Sequence, residues 1–419
     1  EDYQKLLNNR SIFGNNTTPC GELSADDYYV LQATWDRDLV FNKNLYIWAD
    51  DLYEGQSIGI WNNGYKTILN ANVIIEGFNG LDNGEKNSLE GKSVLGQALF
   101  YRAWSYFNLA QIFCKPFIDG KNDADQGLPL KLTSNVDEKI TRSTLKQTYD
   151  QIIDDLNQAL ILLPATQVVK TRPSEVAVLA LFARIYLAIE NYSLAEQHAS
   201  SAREKQSELL DYNSLNTAVN YPLPLFNKEV IWHAELGLDL FLPNLSGLVD
   251  SLLYMQYAEN DIRKEVYFID RPAGKRFTGS YGGAQTIVFC GLATDEMYLI
   301  DAECKIRNGK IQEGLNLLNK LLRSRYKTTI TGESLFVPIT ANNETDALKA
   351  ILLERRKSLI LRNVRWSDLR RLNRDPRFEK TLTRNLGTQV YQLPPNHPNY
   401  TLLIEPVELK LLGLEQTQR

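Results

Sequence analysis

The side chains able to do chemistry are few and scattered. Three histidines, His198, His233 and His397, lie far apart, and none stands at metal-ligand spacing. His233 sits in the run Trp232-His233-Ala234-Glu235, where a lone histidine reads as hydrogen-bonded structure. Four cysteines, Cys20, Cys114, Cys290 and Cys304, have neither zinc nor redox spacing. Cys114 and Cys304 fall in amphipathic helical patterns and read as small core residues; a Cys20–Cys290 disulfide stays open. The adjacent acids Asp26-Asp27, Asp50-Asp51 and Asp154-Asp155 point in different directions on a helix or loop, so they read as solvated surface or helix caps. No nucleophile elbow, phosphate-binding loop or dinucleotide fingerprint is present. A pair of distant carboxylates cleaving glycans leaves no local signature, so that class remains a minor alternative. The expectation is a protein that is not an enzyme, with no cofactor and no metal.

What remains is stacking. The chain of 419 residues has 21 Tyr and 6 Trp against 2 Met. Aromatic rings beyond what a core needs are candidate platforms for a ligand. Net charge is −5 with Lys and Arg spread along the chain, which argues against a nucleic-acid partner and its demand for a concentrated basic surface. The run Arg355-Arg356-Lys357 lies in a helical pattern and reads as a solvated or salt-bridged face. No apolar run approaches the roughly 20 residues that span a bilayer. The chain opens at Glu1 without Met or a leader pattern, and is expected to be a mature form with its export signal removed.

The elements that must position these rings are helical. Leu95, Ala98, Leu99, Arg102, Ala103, Tyr106, Phe107, Ala110 and Phe113 form an i, i+3, i+4, i+7 stripe, closed by Pro116. A second stripe runs from Tyr149 to Leu163 and stops at Pro164. A third opens at Thr171-Arg-Pro-Ser, with Pro expected in the first turn, and continues through Leu187. Asn191-Tyr192-Ser193 reads as a turn into a further helix. Residues 292–307 and 311–326 read as a helix pair about the turn Asn308-Gly309, and another helix starts near Asn343. Ala183 precedes Ala195 by the interval that separates Ala302 from Gly314, the placing of small residues that lets helices cross closely in tetratricopeptide units of ~34 residues. Residues 1–51, with turns at Gly14-Asn15-Asn16 and Pro19-Cys20-Gly21, residues 119–142, residues 209–290 and the tail after Arg377 break the pattern. Strand-like runs occur at residues 229–235 and 286–290.

Several segments together resemble one family. Trp61-Asn-Asn-Gly-Tyr-Lys-Thr-Ile-Leu-Asn-Ala-Asn72, Gly96-Gln-Ala-Leu-Phe-Tyr-Arg-Ala-Trp-Ser-Tyr-Phe, Tyr149-Asp-Gln-Ile-Ile-Asp-Asp-Leu, and Tyr298-Leu-Ile-Asp-Ala-Glu303 follow in order. The strongest is Leu353-Glu-Arg-Arg-Lys-Ser-Leu with Arg365-Trp-Ser-Asp-Leu-Arg-Arg371, in which Asn363 stands where the motif has Gly. In order and coverage they are similar to the SusD/RagB family of outer-membrane nutrient-binding lipoproteins of Bacteroidetes. The resemblance implies a mostly α fold: tetratricopeptide-like helical hairpins as a SusD-like scaffold, with irregular loops and small β insertions. It implies one domain over 1–419: an irregular segment 1–60, scaffold at 61–208 and 292–372, and a ligand-side subregion at 209–291 and 373–419. It implies capture of an oligosaccharide, or in some members a peptide, for a SusC-like TonB-dependent transporter. It also implies a cell-surface position in the outer membrane, held by an N-terminal lipid anchor. Cys20 lies too deep in the folded part to be that anchor. A plain tetratricopeptide adaptor is the less favoured alternative, because the long non-repeat stretches interrupt its groove.

Within that resemblance, the stretch before the Trp61 helix is expected to supply ligand contacts. Residues 35–48 combine rings that stack on sugar faces with Asn, Asp and Arg that bond hydroxyls. Trp35, Arg37, Tyr46 and Trp48 are the candidates there, with Phe277 and Tyr281 beside flexible glycines as a second surface. Trp61, Trp104, Trp232 and Trp366 read as core.

Overall fold

The structure is a computed structural model and describes residues 1–15 and 17–419; Asn16 of the expected Gly14–Asn16 turn lies outside the described residues. The frame is helical. Its members are α1 (Ile60–Asn79), α2 (Leu89–Phe113), α3 (Leu145–Leu162), α4 (Glu175–Ala188), α5 (Tyr192–Lys205), α6 (Thr294–Arg307), α7 (Ile311–Arg323), α8 (Glu344–Ser358) and α9 (Arg365–Leu372). Each packs on its successor from α1 to α6, and α6 then meets both α7 and α8. Gly314 shows why small residues are needed: a Cβ there would lie 2.5 Å from the carbonyl oxygen of Ala302. Ala183 and Ala195 make the matching approach between α4 and α5, both fully buried.

Local signals set the helix ends. Ser88 caps α2 by accepting from the Gly91 N–H, and Thr144 and Gln147 close a reciprocal capping box on α3. Two sequence expectations shift. Pro173 precedes the cap, because Ser174 accepts from the Ala177 N–H and α4 starts at Glu175. Asn191 is itself a cap, bonding the Leu194 N–H, so Tyr192 and Ser193 begin α5 in place of a turn.

The motif residues of separate helices turn out to be partners. Arg102 on α2 forks onto Asp155 of α3 at 2.8 and 2.6 Å and donates to Asn72 of α1 at 2.8 Å. Arg371 on α9 forks onto Glu303 of α6 at 2.5 and 2.8 Å, while Asp368 accepts from Arg355 of α8. All are buried. Bidentate guanidinium–carboxylate pairs fix relative orientation as well as contact, so they lock one helix rotation against the next. Arg355 and Lys357 are therefore buried and paired, and Arg356 bonds Asp27 at 2.7 Å, so of the solvated or salt-bridged face expected of this run the salt-bridged one forms.

The non-repeat stretches carry only two-stranded pairings: Tyr28–Tyr29 with Leu248–Val249, Gln126–Pro129 with Arg142–Thr144, Val230–Trp232 with Leu292–Ala293, Phe268–Arg271 with Gly274–Phe277, and Leu382–Leu386 with Gln389–Leu393. Residues 286–290 make isolated bridges in place of the expected strand. One large apolar cluster joins the N-terminal segment, α1 to α4 and the insertion; a smaller one fills the space between α6, α7 and α8. All four cysteines are buried and free, so no Cys20–Cys290 disulfide forms.

Candidate functional site

The six candidate residues part company. Trp35 ends a short helical turn, Gln32–Trp35, and is half-buried. Its indole N–H reaches the Lys43 carbonyl at 3.4 Å, and the Lys43 ammonium lies 5.3 Å from the ring. Arg37 beside it is exposed.

Tyr46, Trp48, Phe277 and Tyr281 are buried, which corrects their reading as ligand platforms. Their rings do stack, but on the protein's own groups. The Arg384 guanidinium lies 4.0 Å from the Tyr46 ring, 4.8 Å from Tyr28 and 5.3 Å from Trp48, and donates to the carbonyls of Tyr28 and Ala25. Trp48 also donates its indole N–H to Ser24 at 2.9 Å, and its carbonyl accepts from Asn399 at 2.8 Å. It thereby seals the N-terminal segment to the tail. Phe277 packs edge-on against Tyr267 at 5.6 Å. Tyr281 donates to Glu229 and Asp295 among buried charges, with Arg325 forked onto the same Glu229. Desolvation makes a buried cation demand partners, and an aromatic face is one.

What remains is a partly open face around Trp35, in which Asp38 and Asp239 are half-buried and Asn42 is buried. Asp38 follows Trp35 by a turn, and the helix Val40–Tyr46 presents Asn42. The Asn42 amide donates to Asp38 at 3.0 Å and to Asp239, from the insertion, at 2.7 Å. Asp38 Oδ2 has no hydrogen-bond partner. Burial, reinforced by the charge of Asp38, pushes the Asp239 carboxyl up to about 6, although the Phe241 N–H and Asn42 oppose it. Leu39, next to Asp38, and Leu238 and Leu240, either side of Asp239, are exposed. A half-open indole can take a sugar's CH face, and two half-buried carboxylates held by the Asn42 amide can accept from its hydroxyls. Asp38 and Asn42 lay inside the stretch singled out from sequence. Asp239 carried no signal, because it comes from nearly two hundred positions away. Among the described residues no group of three or more His, Cys, Asp or Glu could hold a metal ion, and no helix is long and apolar enough to cross a membrane.

Comparison with known proteins agrees with this architecture. Residues 7–187 match the model of a SusD-like family described as starch-binding and associating with the outer membrane, and residues 278–386 match the SusD family model. SusD-like protein P2 of Formosa agariphila is 31% identical over 158 residues, a stretch that is 37% of this chain and spans 28% of that relative. A SusD superfamily protein from Bacteroides thetaiotaomicron superposes with a TM-score of 0.78 at 21% identity, over 100% of this chain and 99% of its own. A SusD-like carbohydrate binding protein from Bacteroides vulgatus gives 0.72 at 20% identity, over 98% and 96%. Both SusD family models are matched in order and between them span most of the chain, which belongs to the SusD/RagB family.

Proposed function

We propose that this chain captures an oligosaccharide at the cell surface and delivers it to a SusC-like TonB-dependent outer-membrane transporter. An N-terminal lipid anchor would hold it there. It binds and releases without cleaving. The observation that carries this reading is the half-open Trp35 indole, three residues before the half-buried Asp38 that Asn42 ties to Asp239, on a scaffold whose other candidate rings are consumed internally. The family to which the chain belongs is described as starch-binding and outer-membrane-associated, which supports the choice of sugar.

Calorimetric titration of the purified chain with a panel of polysaccharides and a mixed peptide digest tests it, with Trp35→Ala and Asn42→Ala as controls. Binding of one glycan class, weakened at least about tenfold by either substitution, is the expected result. Glycan binding untouched by both would place the site elsewhere. Binding of peptides alone would move the chain to the peptide-capturing branch of the family. Co-purification of a TonB-dependent transporter with the membrane-bound protein tests the partner.

A further inference from the structure

Where the chain leaves α2 past Pro116, a pocket of about 260 Å³ opens between that segment, the end of α9 and the tail. Lys115, Arg370, Arg374, His397, Tyr400 and Arg419 are in its wall, and no aspartate or glutamate is. The acids that meet these cations stand outside the lining: Asp125 is 3.8 Å from Lys115, Asp50 is 4.0 Å from Arg419, and Glu190 pairs with Arg374. Arg370 has no carboxylate among the described residues. Its two Nη groups donate to the carbonyls of Gln111 and Cys114, and its Nε has no partner. Arg374 Nε and Nη1 and Arg419 Nη2 also lack partners.

The pocket wall thus holds several positive charges, a surplus of N–H donors and a shortage of acceptors. Elsewhere Arg102, Arg184, Arg263, Arg325 and Arg371 meet carboxylates, whereas Arg384, also buried, is covered by backbone carbonyls and three aromatic rings. Burial without such a partner lowers Arg370 to about 10. Leaving a buried donor unmet costs its desolvation in full, so a group that supplies oxygen acceptors and negative charge is what the site lacks. Guanidinium forks match planar carboxylates and the oxygens of a sulfate. Tyr400, stacked on Trp366 at 4.7 Å, gives the wall one flat apolar side. The volume falls below the roughly 300 Å³ at which sites for whole drug-sized ligands begin, and suits one substituent or one ring.

We infer that this pocket holds the acidic substituent of a charged oligosaccharide, a carboxylate or a sulfate ester. The inference rests on the glycan-capture reading above and names its substrate class.

The test uses the whole chain. Sulfate, glucuronate, neutral glucose, and matched acidic and neutral oligosaccharides are titrated calorimetrically into wild type and into the double variant Arg374→Gln/Lys115→Gln. Thermal melts confirm that the variant folds. The acidic oligosaccharide and at least one of the two anions should bind, and bind at least about tenfold more weakly in the variant, with any neutral binding unchanged. Whether sulfate or glucuronate binds tells which substituent the pocket takes. Glu190→Gln, which frees Arg374, should tighten the same ligands. No heat from either anion at about 10 mM, or equal affinity in the double variant, overturns the proposal. Binding of a free anion without the acidic oligosaccharide overturns it too. Acidic chains held through Arg374 while neutral chains bind nowhere support the pocket and sink the Trp35 face instead.

Discussion

Arg370 and Arg371 are neighbours on α9, and both are buried. Arg371 spends its fork on Glu303 and its Nε on Asp368 at 2.9 Å. Arg370 finds two backbone carbonyls and nothing negative. Successive helical positions face different ways, so one residue of displacement moves a guanidinium from a crowded helix interface to a pocket wall. The first arrangement holds the scaffold together. The second leaves a buried charge with no carboxylate beside a pocket.

The sharpest way to break this comparison is to remove each arginine in turn. Arg371→Met takes the fork from buried Glu303, leaving it Arg307 alone, and should cost about 3–5 kcal/mol in a denaturant titration. Next comes acid. Burial raises the Glu303 carboxyl, but the charges of Arg371 and Arg307 outweigh it and hold it at about 2. A depressed acid contributes stability above its unfolded value and loses it as pH falls, so about 3 kcal/mol should vanish between roughly pH 4.5 and 2 in wild type. Glu22 runs the other way. Burial and the charge of Asp27 push it up to about 8 despite the Asn363 N–H and Arg365. Its contribution is full below about pH 4.5 and drains away as pH rises to 8, whereas Glu22→Gln should flatten that slope.

Arg370→Met sharpens the contrast. It loses two bonds to carbonyls but also removes a buried unpaired charge, so its cost should fall at least about 2 kcal/mol short of Arg371→Met. Added sulfate at about 50 mM should raise the melting temperature of wild type and leave that of Arg370→Met where buffer ionic strength alone puts it. The smallest effect is at Trp35: Trp35→Ala should change stability by less than about 1 kcal/mol, since the ring is half-open, while Trp48→Ala should cost about 3–5 kcal/mol. Equal losses at the two tryptophans would erase the distinction between open face and sealed core.

The strongest sequence motif shows how much can be read ahead. Asn363, at the motif's Gly position, has φ +58°, the left-handed region that Gly fills at no steric cost and Asn tolerates. Its N–H bonds Glu22 at 2.5 Å, which is why the backbone is held there. The polar motif letters were equally legible as letters: Asn72, Arg102 and Asp155 stood out singly, yet nothing local said that they meet. The candidate site was legible in part. Residues 35–48 contain Trp35, Asp38 and Asn42, but the same stretch supplied Tyr46 and Trp48, which close on Arg384 from a hairpin more than three hundred positions later.

By itself, then, the sequence determined the helices and their small-residue crossings, because periodicity and proline act within a few residues, while the starts of α4 and α5 shifted. It also determined the family, through motifs whose order survives in the chain. Only the tertiary structure decided which rings stay open, which carboxylate joins Asn42, and which of two adjacent arginines meets no carboxylate. Exposure and charge pairing depend on groups brought together from distant segments, and no local pattern records them.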